Sequence, residues 1–181
     1  MSIRLRSAVR LCVPVLLVLL AGCDTTAKFA PLCPAAELIP ELADLVRYAG
    51  PGPAHDVTDL VLQARIVAVN GACKPGKDKA LLPVTVKISI AMRRGPAMKG
   101  RDADVPVFLA VTEGTAIRDK KVFAVHLTFP PNVEQLTIVS PEIDLDLPVS
   151  SKKSGAAYVV IAGFQLSDAE RATNRQAAAS R

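Results

Sequence analysis

Between Leu82 and Arg93 the side chains alternate without a break. Val84, Val86, Ile88, Ile90 and Met92 are apolar, and Thr85, Lys87, Ser89 and Ala91 between them are polar or small. A period of two sends successive side chains to opposite faces of an extended chain, so this segment reads as a strand with one face in a core and the other in water. The pattern returns at Phe123, Val125, Leu127 and Phe129, which alternate with His126 and Thr128, and at Ile143, Leu145 and Leu147, which alternate with Asp144 and Asp146. Apolar runs punctuated by turn residues predict strands at 57–69, 82–93, 105–112, 121–129, 135–139, 143–149 and 156–166. The last of these, AAYVVIAGF, is apolar on both faces and reads as a central strand. Short strands without long helical intervals predict a mainly β chain folded as an antiparallel β-sandwich, with an immunoglobulin-like arrangement as one form of it. Tryptophan is absent and aromatics make up 4% of the chain, so the core must be built from Val, Leu, Ile and Ala, and the chain has little from which to make a carbohydrate-stacking platform.

Helical patterning is confined to the two ends of the domain. In AAELIPELADLVRY, Leu38, Leu42, Leu45 and Val46 recur at spacings of three and four, which predicts a short amphipathic N-terminal helix with Pro40 in or near its first turn. The run GPGP at 50–53 then breaks it. Near the other end, Ser167 followed three residues later by Glu170 is a capping box, predicting a short helix through about Ala177 that has little apolar face.

The N-terminal segment reads as an address rather than as part of the core. Arg4, Arg6 and Arg10 precede the apolar stretch Leu11–Ala21, which is about half the roughly 20 residues a spanning helix needs and is interrupted by Pro14. It runs into Leu20-Ala21-Gly22-Cys23, which resembles the lipobox of bacterial lipoproteins. The resemblance implies cleavage between Gly22 and Cys23, a diacylglycerol thioether on Cys23, and acylation of the new amino terminus. Several acyl chains are needed for a stable anchor, since one holds only marginally. The expected organisation is a signal peptide at 1–22, a lipid-anchored tether at 23–34, a β-sandwich domain at 35–167 that includes the N-terminal helix, and a short C-terminal helix and tail at 168–181. Such a protein is membrane-anchored on the periplasmic side. Asp24 directly after the lipidated cysteine leans toward the inner membrane by the sorting pattern of enteric lipoproteins.

That reading reassigns the charge and the cysteines. Three of the 22 basic residues lie in the signal, so 19 remain against 17 acidic ones, and the apparent basicity gives little support to nucleic-acid binding. Cys12 leaves with the signal and Cys23 carries lipid. Cys33 and Cys73 then remain as a pair in an oxidising compartment and are expected to form a disulfide; with no CxxC or nearby His, a metal pair is the weaker reading. The segments CPAAELIPELADLVRY, DVTDLVLQARIVAVNGACK, RRGPAMKGRDADVPVFLAV and GFQLSDAERATNR together resemble a group of uncharacterised lipoproteins of Gram-negative bacteria. The resemblance implies fold and address, and no chemistry.

Several short patterns invite a chemical reading and fail it. Gly71 to Lys77 has the glycine and lysine spacing of a phosphate-binding loop, but Asp78 stands where a hydroxyl should hold magnesium and Pro75 removes a backbone donor. Ser150 and Lys153 match the S-x-x-K of penicillin-binding proteins, and Lys153-Ser154-Gly155 resembles their K-T-G, yet the two elements share one lysine in one predicted interstrand turn. His55, Asp56 and Asp59 lack converging partners for a zinc site, His126 is expected outward on a strand, and Asp144 with Asp146 read as a solvated strand face. Arg93, Arg94, Lys99 and Arg101 cluster around the Gly95-Pro96 turn and form the candidate interaction patch, suited to an anionic headgroup, an acidic glycan or a partner protein. The expected function is therefore a non-enzymatic envelope module, without cofactor, that binds or scaffolds another envelope protein or an anionic envelope component. A small-ligand or metal carrier and a glycan-modifying enzyme are the alternatives.

Overall fold

A computed structural model describes residues 32–50, 55–74 and 77–179. The segment expected to be a signal peptide, with Gly22 and Cys23, and residues 24–31 of the expected tether lie outside the described residues, as do Pro51, Gly52 and Pro53 of the GPGP run and the pair Pro75 and Gly76.

The strands are β1 (Ala35–Leu38), β2 (Asp44–Tyr48), β3 (Leu60–Cys73), β4 (Leu81–Arg94), β5 (Asp102–Glu113), β6 (Ala116–Thr128), β7 (Gln135–Val139), β8 (Ile143–Pro148) and β9 (Tyr158–Phe164), with helices α1 (Pro40–Ala43) and α2 (Asp168–Ala179). One sheet has the order β1-β9-β5-β6, and the other β2-β3-β4-β7 with β8 also on β4. All pairings are antiparallel except β1 with β9. The two sheets bury one continuous core between them, so the chain is an antiparallel sandwich as its alternation implies. Val84, Val86, Ile88, Ile90 and Met92 are each no more than 3% exposed, and they meet Val105, Val107, Leu109, Tyr158 and Phe164 of the opposite sheet in that core. Burial stabilises each such side chain by roughly 1.5–3 kcal/mol. β9 sits between β1 and β5, the central position that its two apolar faces require.

Strand bounds differ from the sequence reading where charge masks the pattern. β6 begins at Ala116, ahead of the expected start at Lys121, because Arg118, Asp119, Lys120 and Lys121 belong to it. It is an edge strand, and a charged edge deters pairing with another chain. β5 likewise begins at Asp102, and Val57–Asp59 form a 3-10 turn ahead of β3.

The N-terminal helix is reduced to the single turn α1, which corrects the longer helix expected from the spacing of Leu38, Leu42, Leu45 and Val46. Ile39 precedes a proline and is held extended, so helical geometry cannot propagate back through it. On either side the backbone finds strand partners: Ala35–Leu38 pair with Val159–Ala162, and Asp44–Tyr48 pair with β3. Leu45 is nonetheless fully buried. α1 thus carries the chain from one sheet to the other. The C-terminal helix has its capping box, with Ser167 N donating to Glu170 Oε2 at 2.7 Å and Glu170 N to Ser167 Oγ at 3.3 Å, and it runs to Ala179, past the expected end.

The bridge expected between Cys33 and Cys73 is present, with Cα atoms 5.7 Å apart. It joins the residue that leads into β1 to the end of β3, and so links the two sheets covalently. Closing a loop of 40 residues contributes about 4 kcal/mol by the chain-entropy argument.

β4 holds two partners along one edge. β7 pairs with Ser89–Arg93 and β8 with Leu81–Val86, so Ile88 falls in the gap between them. Ser140, the one buried polar residue among those described, closes that gap. Its Oγ accepts from Ile88 N at 3.0 Å and donates to Pro141 O at 2.9 Å, while Ser140 N donates to Ile88 O at 2.8 Å. Ser140→Ala leaves the Ile88 N–H buried without an acceptor and is expected to cost about 1–3 kcal/mol in urea unfolding, whereas a change under half of that would show that water reaches the site.

Candidate functional site

The outer face of the β2-β3-β4-β7 sheet carries the most organised polar surface among the described residues. Register alone builds it. Val46 lies opposite Gln63, Gln63 opposite Arg93, and Arg93 opposite Gln135, so these four form one row across four strands. Two residues along each strand, on the same face, Asp44, Arg65, Ala91 and Thr137 form the adjacent row. The rows floor two adjoining hollows of about 600 and 540 Å³ that share Gln63, Arg65 and Arg93. Thr173 and Asn174 of α2 and Glu41 of α1 stand at one rim, and Tyr48 and Val57 close one end.

Charge within the rows is unevenly spent. Arg65 donates from Nε to Asp44 Oδ1 at 2.5 Å and from a terminal nitrogen to Asp44 Oδ2 at 3.0 Å, a bidentate pair that raises the guanidinium's pKa and neutralises both groups. The Arg93 side chain has no ion pair or hydrogen bond among the described residues, and its neighbours in the row are Gln63 and Gln135. A guanidinium flanked by two amides offers donors in a line and one net positive charge. That is recognition chemistry for a carboxylate, sulfate or phosphate group on an extended partner.

The α2 wall of the groove is fastened by polar contacts. Glu170 Oε1 accepts from Arg47 Nε at 2.9 Å, and Asn174 Nδ2 donates to Glu41 O at 2.9 Å and Asp44 O at 2.8 Å.

The four residues of the candidate patch divide into two kinds. Arg94 donates to Gly100 O at 3.1 Å and Met98 O at 2.9 Å and pairs with Glu134 Oε2 at 3.3 Å, so it fastens the β4–β5 loop. Arg101 donates to the carbonyls of Phe129, Pro130 and Val133 and holds the β6–β7 loop. Their guanidiniums are occupied in structure. Arg93 and Lys99 remain exposed, and Arg93 belongs to the sheet face.

The remaining patterns take structural places. Gly71, Ala72 and Cys73 are extended residues of β3, so the described start of the Gly71–Lys77 pattern is strand rather than loop. Ser150 and Lys153 close a two-residue turn through reciprocal backbone bonds of 2.8 and 3.2 Å. Tyr158, and then Glu113, raise the Lys153 pKa, the wrong direction for a lysine that must act as a base. His55 stacks on Tyr48 with ring centroids 4.3 Å apart, and Asp56 with Asp59 caps the 3-10 turn reciprocally. His126 points outward against Asp104 at 2.9 Å, and Asp144 accepts from Thr85 at 3.0 Å. No group of three or more metal-ligating side chains converges among the described residues.

Sequence reasoning did not find Gln63, Arg65, Gln135 or Thr137. Their polarity on alternating strands was visible, but the pairing that aligns them into rows is a property of register. Comparison with protein-family models, curated proteins and solved structures finds no match for this chain.

Burial raises the Glu170 carboxyl, but the bonds from Ser167 and Arg47 outweigh it and hold its pKa below the ordinary value. A depressed acid stabilises the folded form above its unfolded pKa and loses that contribution as pH falls through the folded one. Protection factors for 169–176 should therefore drop on acidification below the ordinary glutamate range. In Glu170→Gln they should be low at neutral pH already, and a wild-type helix indifferent to pH would refute the role given to this carboxylate.

Proposed function

We propose that this chain is a lipid-anchored cell-envelope lipoprotein whose sandwich domain is a non-enzymatic binding module. It holds an anionic segment of another envelope protein or an acidic envelope glycan along the outer face of the β2-β3-β4-β7 sheet. The observation that carries the reading is Arg93, uncompensated and exposed, set between Gln63 and Gln135 in a register-built row. Among the described residues lining the two hollows the cationic groups are Arg65, already paired with Asp44, and Arg93, so the charge this face has to offer a partner is that of Arg93. The anchor rests on Arg4, Arg6, Arg10, the short apolar stretch and the Leu20–Cys23 sequence. The disulfide supports an oxidising compartment.

The test is recovery of crosslinked partners from membranes carrying the native protein, Arg93→Glu or Lys120→Glu, the last on the other sheet. Arg93→Glu is expected to lower recovery of the same partner about tenfold or more without lowering Tm, because a charge-assisted contact is lost and repulsion replaces it. Lys120→Glu should leave recovery unchanged. Equal recovery with all three would overturn the assignment of this face. Mass spectrometry of the amino terminus tests the anchor separately, since an unmodified Cys23 contradicts it.

A further inference from the structure

Leu32 and Cys33 mark the end of the sandwich from which the N-terminal segment departs, and a series of contacts defines what else lies there. Cys73 is bonded to Cys33, and Lys74 N donates to Pro83 O at 3.2 Å. Leu81 is opposite Pro148, and Val149 N donates to Ala80 O at 2.8 Å. The turn Ser150–Lys153 follows, and a Cβ on Gly155 would collide with the Leu32 carbonyl. Lys153 Nζ lies 3.4 Å from Glu113, at the β5–β6 turn beside Ala116 and Ile117.

This end is basic and apolar together. Lys74, Lys77, Lys79 and Lys152 are all exposed on it and make no ion pair among the described residues, although Lys74 lies within the field of Glu142, itself paired with Lys87. Glu113 is taken up by Lys153 and Arg118; the other acids at this end are Asp78, which accepts from Ala80 N at 2.8 Å, Asp119 and Asp146, so the four lysines outnumber them. Three large hydrophobic side chains stand out among the lysines: Leu32 at 63% exposure, Leu81 at 37% and Ile117 at 66%. Flexible ammonium groups around protruding aliphatic side chains fit a membrane interface, where the apolar groups enter and the lysines meet phosphates.

We infer that the end of the sandwich bearing Lys74, Lys77, Lys79 and Lys152 with Leu32, Leu81 and Ile117 docks on the anionic phospholipid surface beneath it, setting the domain upright. The inference uses the anchored state proposed above, because the tether leaves at this end. From Cys23 to Leu32 the chain spans at most about 33 Å even when fully extended, which confines the domain to the vicinity of the headgroups.

The purified lipoprotein, its amino-terminal mass first determined, is reconstituted into vesicles containing phosphatidylglycerol or made of phosphatidylcholine alone, and its lysines are acylated by a water-soluble reagent. Labelling of Lys74, Lys77, Lys79 and Lys152 should fall several-fold in the anionic vesicles, while Lys99 at the opposite end labels equally in both. In flotation with anionic vesicles of the unlipidated chain lacking residues 1–22 and carrying Cys23→Ser, each Lys→Gln change should lower affinity about fivefold, the effect fading with salt. Equal labelling in the two compositions overturns the docking proposal. An amino terminus without lipid, combined with binding that still depends on these lysines, would refute the anchor and leave the surface standing.

Discussion

β4 is the strand on which the second sheet depends. It pairs with β3 from Val84 to Arg94 on one side and with both β7 and β8 on the other, so its single pleat sets the register of three neighbours. A slip of one residue would turn Val84, Val86, Ile88, Ile90 and Met92 out into water and Lys87 and Arg93 into the core. The opposition of five buried side chains to that slip fixes the outer face as well. Gln63, Arg93 and Gln135 share a row because Ile90 must be inside. The outer polar row and the core are the two sides of one constraint.

That link explains what was legible in the sequence and what was not. The sandwich, the central place of β9, the capping box at Ser167 and the Cys33–Cys73 bridge each follow from local pattern or from elimination, and each is present. The short N-terminal helix is present but confined to the single turn Pro40–Ala43, because periodicity counts apolar positions without knowing which backbone donors have partners. Leu38, Leu42 and Leu45 reach the core by way of a strand, a turn and another strand, and the carbonyls and amides around Pro40 find partners in β9 and β3. The rows on the outer face were hidden for a related reason. Each contributing strand displays its polar positions, but their alignment needs the pairing among strands that lie far apart in the chain.

Clusters of charge in sequence are likewise poor guides to available charge. Arg94 and Arg101 stand beside exposed Arg93 and Lys99, yet each fans its donors over loop carbonyls that no strand satisfies. A planar guanidinium with five donors suits that work, and burying such carbonyls without it would leave them unpaired. The lysines at 74, 77, 79 and 152 behave otherwise. An ammonium on a flexible stem is strongly hydrated and poor at bridging fixed carbonyls, so these groups stay in solvent.

The two surfaces therefore differ in kind as well as in place. From Leu81 at the tether end to Arg93 in the polar row, β4 advances twelve residues, which at about 3.3 Å each separates them by about 40 Å. A domain standing on its lysine-bearing end would carry Arg93 well beyond the screening length of about 8 Å within which headgroup charge acts at physiological salt. The guanidinium would then be free of competing phosphates and open to a partner approaching from the compartment. The disulfide matters for the same reason: it locks Cys33 to the end of β3, so the distance from Cys33 to the polar row is set by a rigid strand pair rather than by a loop.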